Sequence, residues 1–184
     1  MKNYKLKKYK EKGLIYAVLD TQKGEPNYNG KTMDAEQMAF EDVKLVMKSL
    51  AKGGDWENIK YMFGLCFGVE EGLDEWFWNG NVKEFYQARN YIIKEFNRLI
   101  KREQTLLKSI NVVDTILWEQ AGGNKLNRFG GVLTLNQLGK LYGVYPFDLS
   151  RKKYIEILYL LTIEKETGEM QAKYNELKGK IKTK

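Results

Sequence analysis

From Met33 onward the apolar residues of this chain recur at three- and four-residue intervals, and its only two prolines, Pro26 and Pro146, fall outside every stretch with that period. Such spacing draws one apolar stripe along a helix, so most of the chain is confined to helix packed on helix. The stretch Met33 to Lys52 carries Phe40, Val43, Met47 and Leu50 at this spacing and stops at Gly53-Gly54. Asp55 is placed to cap a shorter helix with Trp56, Ile59, Met62, Phe63, Cys66 and Phe67 on its apolar side. Asn81, with Glu84 three residues on, predicts the start of the longest helix, which runs to about Ser109 along Phe85, Ala88, Ile92, Phe96 and Leu99. Asn111 predicts a fourth helix ending at Gly122-Gly123, and Asp148 or Ser150 precedes a last long one.

Only one segment reads as a strand. In GLIYAVLD, Leu14, Tyr16 and Val18 share one face and Ile15, Ala17 and Leu19 the other. Both faces are apolar, so the strand needs partners on two sides, either residues near Thr32-Met33-Asp34 or another subunit; the latter would satisfy its edge and makes Tyr16 and Val18 candidate interface residues. The following TQKGEPNYNGK reads as a loop from its Gly, Pro and Asn content. The expectation is an all-α, multi-helix bundle with a small N-terminal β element and a basic N-terminal arm. It divides into residues 1–31 (arm, strand and loop), 32–110 (N-terminal helical region) and 111–184 (C-terminal helical region).

The 184 residues suffice for one compact domain or two small ones with a real core. Lys and Arg total 31 against 24 Asp and Glu, a net charge of +7, but much of the excess lies at the ends. Lys2, Lys5, Lys7, Lys8, Lys10 and Lys12 open the chain and Lys178, Lys180, Lys182 and Lys184 close it. Without them the body is near neutral or slightly acidic, so no broad basic groove is implied. No run approaches the ~18 consecutive apolar residues of a membrane span, and the first residues lack a signal-peptide core. A soluble, unexported protein is expected.

The absence of histidine removes the commonest metal ligand, the usual general base near neutral pH, and the Ser-His-Asp and Cys-His arrangements. Cys66 is the only cysteine, so there is no intrachain disulfide and no cysteine cluster; among Phe63, Leu65 and Phe67 it reads as a packing residue. Glu70, Glu71, Asp74 and Glu75 are dense, but their spacing is not that of a calcium loop. The glycine pairs follow or separate helices and form no phosphate cradle. Neither a catalytic residue nor a cofactor or metal is expected. Trp76, Phe77 and Trp78 stand consecutively, so no single helix face hides all three, and they become candidate partner-interface anchors.

The stretch TLNQLGKLYGVYPFDLSR, Thr134 to Arg151, reads in two ways. In one, Thr134 caps a helix with Gln137 at the capping-box position, Leu135, Leu138 and Leu141 form its stripe, Gly143 ends it, and a short helix starts at Pro146. Gly139, Gly143 and Leu149 then have helix-turn-helix spacing, with Arg151, Lys152 and Lys153, together with Lys7 and Lys8 of the arm, as candidate nucleic-acid contacts. In the other, the hydrophobic pattern resumes at once through Tyr154, Ile157, Leu158 and Leu161. Tyr145 and Phe147 also replace the Arg, Asn or Gln that read bases, and core packing suits them better.

On the second reading YGVYPFDLSRKKYIEILYLL resembles a pattern in small helical proteins of tailed phages: glycine, an aromatic or aliphatic residue before x-Pro-x-acidic-aliphatic, and then an aliphatic-rich helix. The likeness covers roughly the last third of the chain, from about Trp118. It implies a non-enzymatic tail or head-to-tail morphogenesis protein, an assembly chaperone or a ring or adaptor of the virion. Its implied partners are further copies of itself and tape-measure, tube or neck proteins. Its implied location is the bacterial host cytoplasm during assembly, or the virion. The alternative is a helix-turn-helix DNA-binding regulator.

Overall fold

The computed structural model describes Lys5, Leu6 and residues 23–52, 54–108 and 119–182. Two compact units make up the chain, Met1–Lys101 and Arg102–Lys184. Among the described residues there are seven α-helices and one two-stranded sheet, so the fold is mostly α with a small β element near the N-terminus.

That β element is a hairpin inside the segment whose composition reads as a loop. Strand β1 (Asn27–Tyr28) pairs antiparallel with β2 (Lys31–Thr32), Asn27 opposite Thr32 and Tyr28 opposite Lys31. The connection is Asn29-Gly30, with φ of 43° and 79°. Two positive φ values in a two-residue loop match the right-handed twist of the strands, and Asn-Gly tolerates them best. The residues that signal a loop are thus the ones a tight hairpin needs. The expected strand over Leu14 to Leu19, with Tyr16 and Val18, lies outside the described residues, as do Lys7 and Lys8. Within the basic arm, Leu6 is fully buried and its N–H donates to the Gly80 carbonyl at 2.9 Å.

In the first unit, helix α1 (Phe40–Lys52) starts later than the Met33 boundary read from spacing. Asp34 is the reason: its carboxylate accepts from the Glu36 N–H at 3.1 Å and its carbonyl from the Gln37 N–H at 3.2 Å, a local turn that competes with helix. The buried face of α1 is Phe40, Val43, Val46 and Ser49, with Met47 and Leu50 only half-buried. Helix α2 (Trp56–Phe67) is capped as its sequence predicts, Asp55 Oδ1 accepting from the Asn58 N–H at 2.7 Å. Helix α3 (Leu73–Asn79) follows, and then α4 (Val82–Leu107), where Asn81 Oδ1 accepts from the Lys83 N–H at 2.8 Å. All five residues of the stripe read from α4, Phe85, Ala88, Ile92, Phe96 and Leu99, are buried.

In the second unit, the helix expected from Asn111 falls largely outside the described residues. A 3-10 helix (Gly123–Phe129) leads into α5 (Gly131–Tyr142), α6 (Pro146–Ser150) and α7 (Tyr154–Lys182). At 29 residues α7 exceeds α4, with 26, and is the longest helix among the described residues. Thr134 is not a cap, because α5 begins three residues earlier, behind Gly130 at φ 50°. Of its expected stripe, Leu135 and Leu138 are buried while Leu141 is exposed. Gly143 ends the helix in the left-handed region, φ 65°, and Pro146 opens the next, both as the sequence predicts.

Candidate functional site

Three consecutive aromatic residues on α3 must point in three directions about 100° apart. Phe77 points inward and is fully buried, while Trp76 and Trp78 are half-buried. Around Phe77 lie Phe63 at 5.4 Å between ring centroids and Phe85 at 5.8 Å, both edge-on, the favoured geometry for ring quadrupoles. Trp76 turns to the hairpin, meeting Tyr28 edge-on at 5.0 Å and donating from Nε1 to the Asn29 carbonyl at 3.2 Å. Asn29 Nδ2 returns a bond to the Trp76 carbonyl at 2.7 Å. Trp78 lies 5.3 Å from Trp56 and 4.8 Å from Phe77. The aromatic run therefore spends most of its surface inside its own unit, fastening the hairpin to α2 and α4.

Tyr28 is the centre of this arrangement. It is fully buried, and its hydroxyl donates to the Phe77 carbonyl. Burial, aided by the negative charge of Glu84, raises its phenol above the ordinary value. Gly80 makes room for it, since a Cβ there would stand 2.1 Å from the Tyr28 oxygen. Glu84 also accepts from the Asn29 N–H at 3.2 Å, so the hairpin turn is held from α4 as well.

Two of the reactive groups in this unit, Cys66 and Asp74, are hidden or paired. The Cys66 thiol is buried and pushed up by burial and by Asp42, which makes it inert. Asp74 pairs with Lys60 at 2.6 Å, and Lys60 also meets Glu57 at 2.7 Å, so that carboxylate serves a surface ion pair. No group of three or more metal-ligating side chains gathers among the described residues. An open cleft of about 370 Å³ beside Trp56, Met62, Phe85, Tyr86 and Arg89 has mostly apolar walls.

Among its described residues the second unit presents most of its aromatic side chains outward. Leu141, Tyr142, Val144, Tyr145 and Phe147 are all exposed, Tyr145 at 64% and Phe147 at 57%, with the two rings 5.5 Å apart. Core packing, which the sequence suggests for Tyr145 and Phe147, is not their role. The cause is geometric. Gly139 lets the chain turn back so closely that a Cβ there would stand 2.6 Å from the Val144 carbonyl oxygen and 3.1 Å from Pro146 Cγ. Pro146 is thereby held against α5, and the five-residue α6 buries Leu149 and Ser150. Its remaining side, with Tyr145 and Phe147, faces out. The shortness of a helix flanked by Gly143 and the α7 stripe was the available signal.

Arg151, Lys152 and Lys153 are exposed in the turn between α6 and α7, beside this apolar surface. Residues Gly139, Gly143 and Leu149 do form a helix, a left-handed turn and a second helix, but α6 spans only Pro146–Ser150. Its exposed side chains are Phe147 and Asp148, with Tyr145 just before it, and none of these supplies the bidentate donors of base readout. Two phenols are anchored nearby. Tyr142 donates to Glu164 at 2.6 Å, a bond that raises its pKa, and buried Tyr154 donates to Glu103 at 2.8 Å. Burial and the Glu103 charge hold Tyr154 above the ordinary phenol value.

No protein-family model matches this chain, and no curated protein and no solved structure matches it either. No helix among the described residues is long and apolar enough to cross a membrane.

Proposed function

We propose that this chain is a non-enzymatic assembly protein acting through protein–protein contacts, of the tail or head-to-tail morphogenesis type found in tailed bacteriophages. The observation that carries the reading is the exposed apolar surface formed by Leu141, Tyr142, Val144, Tyr145 and Phe147. Large apolar side chains left together on a surface cost solubility and mark a place where another protein is bound. All of this surface but Leu141 lies within YGVYPFDLSRKKYIEILYLL, the run that resembles the phage proteins. Aromatic anchors of this kind dominate the energetics of association. Trp76 and Trp78 offer only their outer halves and are secondary contacts at most.

The partners on this reading are tape-measure, tube or neck proteins, met in the host cytoplasm during assembly or in the virion. The test is co-purification with tape-measure, tube and neck proteins of tailed phages, using the wild-type chain and the double variant Tyr145→Ser/Phe147→Ser. Capture by the wild type and its loss in a variant of unchanged melting temperature is the expected result. Sequence-selective duplex binding at physiological salt, lost on changing Arg151, Lys152 and Lys153 to alanine, would replace this reading with the DNA-binding one.

A further inference from the structure

Helix α7 carries a second apolar face that is largely exposed. Its N-terminal half is anchored by Tyr154, Ile157 and Leu158, all buried. Beyond them Leu160, Ile163, Thr167, Met170, Tyr174, Leu177 and Ile181 follow one another at alternating three- and four-residue steps, the seam of a coiled coil. At 100° per residue this seam lies on roughly the opposite side of the helix from the anchored face, so it is not a continuation of the core stripe. Ile163, Met170, Tyr174, Leu177 and Ile181 are more than half exposed, Ile181 at 77%.

Intrinsic propensity does not explain an ordered helix here. Gly168 and Gly179 both lie in its interior with open space where a Cβ would be, and each costs helix stability of about 1 kcal/mol relative to alanine. Helices of this length draw their stability from packing an apolar face.

The charges beside the seam name the occupant. One flank reads Glu164, Gln171, Lys178 and the other Glu166, Lys173, Lys180. Acid stands at the start of the face and base at its end. If two copies pair antiparallel with Met170 against Tyr174 of the second copy, then Ile163 meets Ile181 and Thr167 meets Leu177. In that register Glu164 faces Lys178 and Glu166 faces Lys180, each twice by symmetry, while Gln171 and Lys173 face themselves. A parallel pair would instead set Lys173 against Lys178 twice and gain no opposite-charge pair on these flanks. Lys180 also has an intrahelical ion pair with Glu176, and Glu164 accepts from the Tyr142 hydroxyl, so one member of each contact is shared with a bond inside its own chain.

We propose that the exposed face of α7 between Ile163 and Ile181 pairs antiparallel with the same face of a second copy of this chain. The proposal rests on α7 alone and does not depend on the phage reading; Glu164→Lys removes the acceptor of the Tyr142 hydroxyl, so Lys178→Glu/Lys180→Glu is the variant that leaves the surface at Tyr142, Tyr145 and Phe147 unaltered. Two charge-swapped chains are made in the full-length protein, Glu164→Lys/Glu166→Lys and Lys178→Glu/Lys180→Glu, and their masses are followed by light scattering across a dilution series. The wild type is expected to dimerise, and each variant alone to dissociate at about tenfold or more higher concentration. An equimolar mixture is expected to regain dimer, because one chain then presents four lysines to four glutamates. A wild type that stays monomeric overturns the pairing. Variants that dimerise as well as the wild type, or a mixture that fails to recover, overturn the antiparallel register. Glu166, Lys178 and Lys180 are exposed and Glu164 is half-buried, and unchanged helical circular dichroism confirms that each variant still folds.

Discussion

The two units are built from the same kinds of residue and use them in opposite ways. In Met1–Lys101 five described aromatic side chains, Tyr28, Phe63, Phe77, Phe85 and Phe96, are each below 2% exposed. Among the described aromatics of Arg102–Lys184 only Tyr154 reaches that level, while Tyr145, Phe147, Tyr159 and Tyr174 are more than half exposed. The difference is one of available surface. The first unit brings a hairpin and the helices α1 to α4 around one centre, so each ring finds walls on several sides. Among its described residues the second brings a 3-10 helix, a twelve-residue helix, a five-residue helix and one side of α7, and several of their apolar side chains stay exposed. Apolar patterning therefore marks that a face needs a partner, and only the fold tells whether the partner lies within the same unit.

Substitution of the most central ring is the strongest way to break this contrast. Phe77→Ala is expected to lower the stability of the first unit by about 3–5 kcal/mol, the usual cost of emptying a packed aromatic site. Tyr145→Ser/Phe147→Ser should leave stability within about 0.5 kcal/mol, since surface changes away from special features cost little. Urea titration of both variants reads the difference, and equal losses would show that the second unit's rings are structural after all.

A smaller effect comes from the glycines. Gly80→Ala should cost about 1–3 kcal/mol, because the new methyl group must displace a Tyr28 ring fixed on all sides. Gly168→Ala should raise stability by about 1 kcal/mol, with nothing near it to clash. Opposite shifts in melting temperature check the pair.

Alkaline titration separates the units more gently. Tyr28 is held above its ordinary value of 10.0 by burial first and by Glu84 second. Its folded-state pKa exceeds the unfolded one, so the stability it lends is whole below about pH 10 and lost as pH rises beyond that, by about 1.4 kcal/mol per pH unit. Tyr28→Phe should flatten part of that slope while costing about 1 kcal/mol near neutrality for the bond to the Phe77 carbonyl. Tyr154 has a shift of the same sign, from burial and Glu103, and supplies a matching slope in the second unit. Unfolding measured between pH 8 and about 11 for Tyr28→Phe and Tyr154→Phe assigns each share. A Tyr28→Phe profile parallel to the wild type would remove Tyr28 from the alkaline transition.

Much of the local structure was legible because its signals are local. Asp55 and Asn81 accept from the N–H groups a helix start leaves open, Gly143 takes the left-handed end of α5, and the stripe of α4 is buried residue for residue. The misreadings occurred where one residue serves two structures. Asn29-Gly30 serves loop and hairpin alike, and Asp34 tips the chain into a turn where apolar spacing alone would begin a helix. Tyr145 and Phe147 carry no mark in their own identity that says outside.

What the sequence by itself determined is the helical class, most helix ends and which residues are apolar enough to need cover, because dihedral preference, capping and periodicity act within a few residues. What only the tertiary structure decided is where that cover comes from. Phe77 is enclosed because Tyr28, 49 residues away, arrives beside it under a glycine that leaves room. Phe147 is open because Gly139 and Pro146 fold a helix too short to turn both of its sides inward. Burial is a property of what converges on a side chain from distant parts of the chain, and no window of neighbouring residues contains that information.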